Sequence, residues 1–100
     1  MIKTEKLFSD DNADMIRVLE YIKSKHNVGV GSIQRACELG YARVVRYVDR
    51  LTEAGVIENP HTYRMVLGDD GKRHRQYTPN KLVATDEELC ACIDALKEKL

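Results

Sequence analysis

One hundred residues, 43% of them hydrophobic, suffice for one compact domain with a modest core and are too few for two. Sixteen basic and sixteen acidic side chains cancel to a formal charge of zero, which argues against a protein that coats nucleic acid indiscriminately. No run of about 18 apolar residues and no charged-then-apolar leader is visible, so neither a membrane span nor a secretory signal is expected and the location read is cytoplasmic.

Ser9, Asp10, Asp11 and Asn12 offer N-caps for a first helix over 13–25, where Met15, Ile16, Leu19 and Ile22 recur at helical spacing. Gly29 and Gly31 break that pattern around Val30, leaving a short extended piece at 28–30 able to pair with a later strand. Ser32 is expected to cap a second helix over 33–39 with Ile33, Ala36 and Cys37 inward, and Gly40 to be the left-handed turn residue after it. A third helix follows over 41–54 and stops at Gly55, a natural residue for the position just past a helix end. On this helix a rotation of about 100° per residue groups Val44, Val48 and Leu51, flanked by Val45 and Tyr41, as the buried stripe. The same rotation sets Arg43, Arg46 and Arg50 outward on the other side, with Tyr47 beside them. A guanidinium is a planar fork that holds a guanine edge or a phosphate through two hydrogen bonds, so such a row suits a major groove. The bland alternative is a solvated face in which Arg46 and Arg50 pair with Asp49 or Glu53.

Residues 56–58 and 63–67 read as two strands joined by a turn at Asn59-Pro60, together a hairpin wing. A second register pairs 63–67 with 73–78 across Gly68-Asp69-Asp70-Gly71-Lys72, whose turn chemistry is equally good, and a sheet of all three strands stays open. The basic residues over 72–81 would decorate a tip or tail able to reach a phosphate backbone. The last segment opens with a capping box from Thr85 to Glu88 and carries Leu89, Cys92, Ile93, Leu96 and Leu100 on one stripe of an amphipathic helix of about fourteen residues. That stripe needs cover, either from the first helix or from the same helix of a second copy, with the homodimer slightly favoured because a three-helix core already closes on itself. The expected fold is therefore α+β: a winged helix-turn-helix with a three-helix core and a β-hairpin wing over 1–81, plus an added C-terminal helix over 82–100 as a dimerisation element.

Residues 32–67 resemble the γ domain at the C-terminus of FtsK-type bacterial DNA translocases, a small winged-helix module that reads short oriented sequences. The likeness rests on Ile33-Gln34-Arg35, the Gly40-Tyr41 turn, Arg43 and Arg46, the Ala54-Gly55-Val56-Ile57 ending and Arg64-Met65-Val66-Leu67. It implies a recognition helix for double-stranded DNA. Two departures are plain: Ala42 stands where the family usually has an asparagine able to hold adenine, and Glu38 where a basic residue is common. The family's target sequence is therefore not carried over, and without a phosphate-binding loop there is no translocating motor.

The leading expectation is a non-enzymatic double-stranded-DNA-binding protein, a small transcriptional regulator or mobile-element protein. Arg43 and Arg46 are expected at bases or nearby phosphates, and Arg50 and Arg35 on the backbone. Tyr47 would sit against a sugar or thymine methyl, or else rim the core. Tyr41, Arg64, Lys72 and Arg73 complete the expected contact set. The alternative is a winged-helix interaction module presenting Tyr47, Tyr63 and the arginines to an acidic protein partner. Cys37, Cys90 and Cys92 are an odd count spaced unlike a disulfide scaffold, and with His26, His61 and His74 they form no recognisable zinc spacing, so no metal or cofactor is expected. No catalytic triad, dyad or paired-carboxylate spacing emerges.

Overall fold

The computed structural model describes residues 2–60 and 62–100; Met1 and His61 lie outside the described residues. A 3-10 turn over Thr4–Leu7 precedes the first helix and drives Leu7 fully into the core. The chain start is tied down by the Lys3 N–H, which donates to the Ala54 carbonyl at 2.8 Å.

Helix α1 spans Asn12–Lys25, one residue longer at its start than the pattern predicts. Asp11 is the N-cap by position but its side chain bonds nothing there. Two neighbours organise the entry instead: the Ser9 N–H donates to Asn12 Oδ1 at 2.8 Å and the Asp11 N–H to Ser9 Oγ at 3.1 Å. The buried face carries Met15, Ile16, Val18, Leu19 and Ile22.

Helix α2 runs Val30–Cys37, earlier than expected, and this corrects three readings at once. Residues 28–30 form no strand, because Val30 already opens the helix. Ser32 lies inside α2 rather than capping it; Gly29 is the N-cap, and Asn27 shapes the approach by accepting the Gly29 N–H at 2.9 Å. The left-handed residue is Glu38, at φ 54°, whose N–H returns to the Gln34 carbonyl. Gly40 is extended, at φ −68° and ψ 151°, and serves as the N-cap of helix α3, Tyr41–Ala54. With α2 ending early, the chain reverses two residues before the glycine. Gly55 does occupy the left-handed site past α3, at φ 88°.

Four short strands follow: β1 (Ile57–Glu58), β2 (Tyr63–Leu67), β3 (Arg73–Tyr77) and β4 (Lys81–Leu82). They pair as two antiparallel ladders, β1 with β4 and β2 with β3. The hairpin is thus the second of the two registers, with Tyr63 opposite Tyr77 and Leu67 opposite Arg73. The first register, with β1 against β2 across Asn59-Pro60, does not form, nor does a three-stranded sheet. The chain spends four residues between β1 and β2 but three between β3 and β4, so the ladder slips by one as at a bulge. Pro60 and Pro79, which have no N–H to give, lie in those two connections and interrupt the pairing.

Helix α4, Asp86–Lys97, starts on the expected capping box: Thr85 Oγ1 accepts the Glu88 N–H at 3.2 Å and Glu88 Oε1 accepts the Thr85 N–H at 2.9 Å. Its buried residues Leu89, Cys92, Ile93 and Leu96 belong to the same core as α1, on which the helix packs. Leu100 stays exposed beyond the helix end. The stripe is covered within the chain by α1, the first of the two covers the sequence allows. The class is α+β, four helices with two short antiparallel ladders, in an order compatible with a winged helix. No helix of the described residues is long and apolar enough to cross a membrane.

Candidate nucleic-acid interface

The buried face of α3 consists of Val44, Tyr47, Val48, Leu51 and Ala54. Relative to the expected stripe this is turned by about 60° toward Tyr47. Tyr41, taken for the apolar flank, is 65% exposed, and Tyr47, taken for a contact residue, is fully buried. A tyrosine is buried cheaply only when its hydroxyl finds a partner. Here Asp14 of α1 supplies one, accepting the Tyr47 O–H at 3.2 Å. Burial, together with the negative charges of Asp14 and Asp11, pushes the Tyr47 hydroxyl up to about 12.

Asp14 also governs the arginines. Its Oδ2 accepts from Arg43 Nη1 at 3.0 Å, while its Oδ1 lies 3.8 Å from Arg17. Arg17 in turn donates to the Cys37 carbonyl at 2.6 Å and so ties α1 to the end of α2. Arg50 folds back toward the start of α1, donating to Ser9 Oγ at 2.7 Å with its guanidinium 5.6 Å from the Tyr47 ring centre. The row of three outward guanidiniums is therefore corrected. Arg46 alone of the three has no hydrogen bond or ion pair among the described residues, Arg43 is half-exposed but paired, and Arg50 is turned inward. Arg35 is exposed on α2, its guanidinium lying back over Gly31.

The hairpin carries the rest. Every residue of β2 and β3 is exposed except the half-buried Val66, so both faces meet solvent. The ten strand residues hold Arg64, Arg73 and Arg75 and no acidic side chain. Arg64 Nε donates to Gln76 Oε1 across the ladder at 2.9 Å, and the Arg75 guanidinium stacks 4.8 Å from the Tyr63 ring centre. Lys72 and Arg73 are exposed at the tip. The tip is braced by Asp70, which accepts from His74 Nε2 at 3.0 Å and from the Lys72 N–H at 3.0 Å. Those bonds, His74 first, hold its carboxyl below the usual carboxylate range. The hairpin base and the N-terminal half of α3 share one groove, lined by Tyr41, Val45 and Asp49 on the helix and by Tyr77, Thr78 and Asn80 opposite.

Of the expected contact residues, the fold exposes Tyr41, Arg43 and Arg46 on the N-terminal half of α3, with Tyr41 toward the hairpin base and Arg43 toward Asp14 of α1, and exposes Arg64, Lys72 and Arg73 on the hairpin. It sets Arg35 apart on α2, directs Arg50 inward and buries Tyr47. Asp14 and the exposed Tyr77 are not expected from the sequence as parts of this surface, and Tyr63 is expected there only for a protein partner. The period-2 placement of Arg73, Arg75 and Tyr77 along β3 is the available signal for Tyr77. The two buried thiols, Cys37 and Cys92, are pushed up by desolvation, away from the reactive thiolate. Among the described residues no three His, Cys, Asp or Glu side chains gather as a metal-ligand set. Comparison of the chain with protein-family models, with curated proteins and with solved structures finds no match.

Proposed function

We propose that this chain is a non-enzymatic double-stranded-DNA-binding protein of the winged helix-turn-helix kind, a small transcriptional regulator or mobile-element protein. One observation carries the reading: a solvated hairpin with three arginines and no acid on its strands stands beside the exposed start of a helix bearing Tyr41, Arg43 and Arg46. The resemblance of residues 32–67 to the γ domain of FtsK-type translocases supports the same assignment. On DNA, the first two turns of α3 would enter the major groove, where helix-turn-helix proteins place their base contacts. A five-residue strand spans roughly 17 Å, so the hairpin can reach flanking phosphates or the next groove. Arg46 is free to contact a base or phosphate. Arg43 must first leave Asp14 or share its fork between carboxylate and DNA, which sets a modest affinity.

Two variants test this by anisotropy titration of labelled random duplex fragments at low salt. Arg46→Ala weakens binding by about tenfold, the loss of one charge-assisted contact, while Asp14→Asn, which keeps an acceptor for Tyr47 but removes the competing charge, strengthens it by about threefold. A wild-type protein that gives no titration on any duplex removes the proposal. A second reading, a protein-interaction module for an acidic partner, is favoured by the exposed apolar side chains of Tyr63, Met65, Leu67 and Tyr77. Pull-down that survives nuclease treatment, with no retention on DNA, selects it.

A further inference from the structure

The antiparallel register gathers Tyr63, Met65 and Leu67 of β2 with Arg73, Arg75 and Tyr77 of β3 on one face of the hairpin. The two tyrosine rings lie 5.6 Å apart, tilted by 57°, and Arg75 caps the Tyr63 ring. Tyr63 is 48% and Tyr77 62% exposed, so their outer faces meet water rather than a core. Tyr77 also lines the groove whose far wall includes the exposed Tyr41. Three of the chain's five tyrosines thus mark one path from α3 onto the hairpin; Asp49 lines the groove between Tyr41 and Tyr77, while the hairpin face itself carries Arg73 and Arg75 and no carboxylate.

We propose that this path is a stacking platform for unpaired bases, so that the protein engages single-stranded nucleic acid or an opened stretch of a duplex. The proposal goes beyond duplex binding and does not depend on it. Rings interleaved with cations suit a strand whose bases present π faces and whose backbone is anionic; each stacked base contributes without regard to its identity. A second copy of the chain is a poor occupant, because face-to-face docking would crowd Arg73 and Arg75 against their own counterparts. Duplex DNA keeps its base faces stacked internally and offers these rings little beyond sugar edges.

The test is anisotropy of a labelled oligothymidylate of about twelve nucleotides, long enough for one binding site, set beside a random duplex. The variants are Tyr63→Ile and Tyr77→Ile, which keep strand propensity and cross-strand packing, and Tyr41→Ala, which lies off the hairpin and leaves its pairing intact. Circular dichroism monitors the fold. Wild type is expected to bind the single strand with quenching of its tyrosine fluorescence. Each variant should weaken that binding by about tenfold, and Tyr63→Ile and Tyr77→Ile, which lie off the helix that would enter the groove, should alter duplex affinity by less than about threefold. Failure to bind the oligonucleotide overturns the proposal, as does single-strand binding that all three variants leave unchanged. Single-strand binding that the tyrosine variants abolish, without any duplex binding, upholds the platform and sinks the duplex reading; duplex binding alone does the reverse.

Discussion

Asp14 accepts from the Tyr47 hydroxyl and from Arg43, and so one carboxylate decides both how α3 packs and which arginine is free. The consequence for Tyr47 is measurable. Its hydroxyl is raised from the ordinary 10.0 to about 12 by burial and by the charges of Asp14 and Asp11, so the unfolded chain loses this proton first as pH rises. The stabilisation is present in full below pH 10 and is lost between pH 10 and about 12, an effect of roughly 3 kcal/mol at its limit. Ultraviolet titration should show one tyrosine ionising only near pH 12, a step missing from Tyr47→Phe. A second residue-scale expectation concerns the turn between α2 and α3. Glu38 pays the left-handed penalty, so Glu38→Gly should stabilise by about 0.5–1 kcal/mol. Gly40 is extended with open space where a Cβ would stand, so Gly40→Ser should leave stability within about 0.5 kcal/mol or raise it by capping α3. Chemical denaturation checks both, and a loss above about 1 kcal/mol for Gly40→Ser would show that the glycine's freedom is needed.

At the scale of elements, α3 and α4 were legible because long amphipathic repeats and capping signals are local: Gly55 and the Thr85–Glu88 box sit where the pattern puts them. The phase of α3 was not, since an amphipathic tyrosine fits either side of a stripe until its hydroxyl partner is known. That partner is 33 residues away on α1. The hairpin register was undecided for a related reason. Asn59-Pro60 and Gly68–Lys72 are both good turns, and only pairing of β1 with the distant β4 assigns the first to an interruption and the second to the tip. The cover for α4 was equally invisible, because an apolar stripe does not say which surface meets it. Since α1 does, Leu96→Ala should cost about 2–5 kcal/mol as a core cavity. Denaturation measures that loss, and light scattering should give the monomer mass for wild type and variant alike. A wild-type dimer that Leu96→Ala dissociates would mean that α4 serves a second copy.

For the whole molecule, zero net charge hides a polarised distribution. Acids begin α1 and α4, while residues 62–82 carry Arg64, Lys72, Arg73, Arg75 and Lys81 against Asp69 and Asp70. The described chain extends over 52 × 28 × 21 Å, so opposite charges can act at separate ends with little mutual cancellation beyond a screening length of about 8–10 Å. A neutral protein that engages a polyanion must do so through a basic end, and the number of phosphates engaged is written in the salt dependence. The most direct test is therefore the slope of duplex affinity against salt on a logarithmic scale, for wild type and for Lys72→Ala combined with Arg73→Ala. We expect a linear fall that becomes shallower by about 0.9 for each tip cation engaged with phosphate. Absence of duplex binding at low salt, or a slope that the double variant leaves unchanged, would contradict a hairpin that holds the DNA backbone.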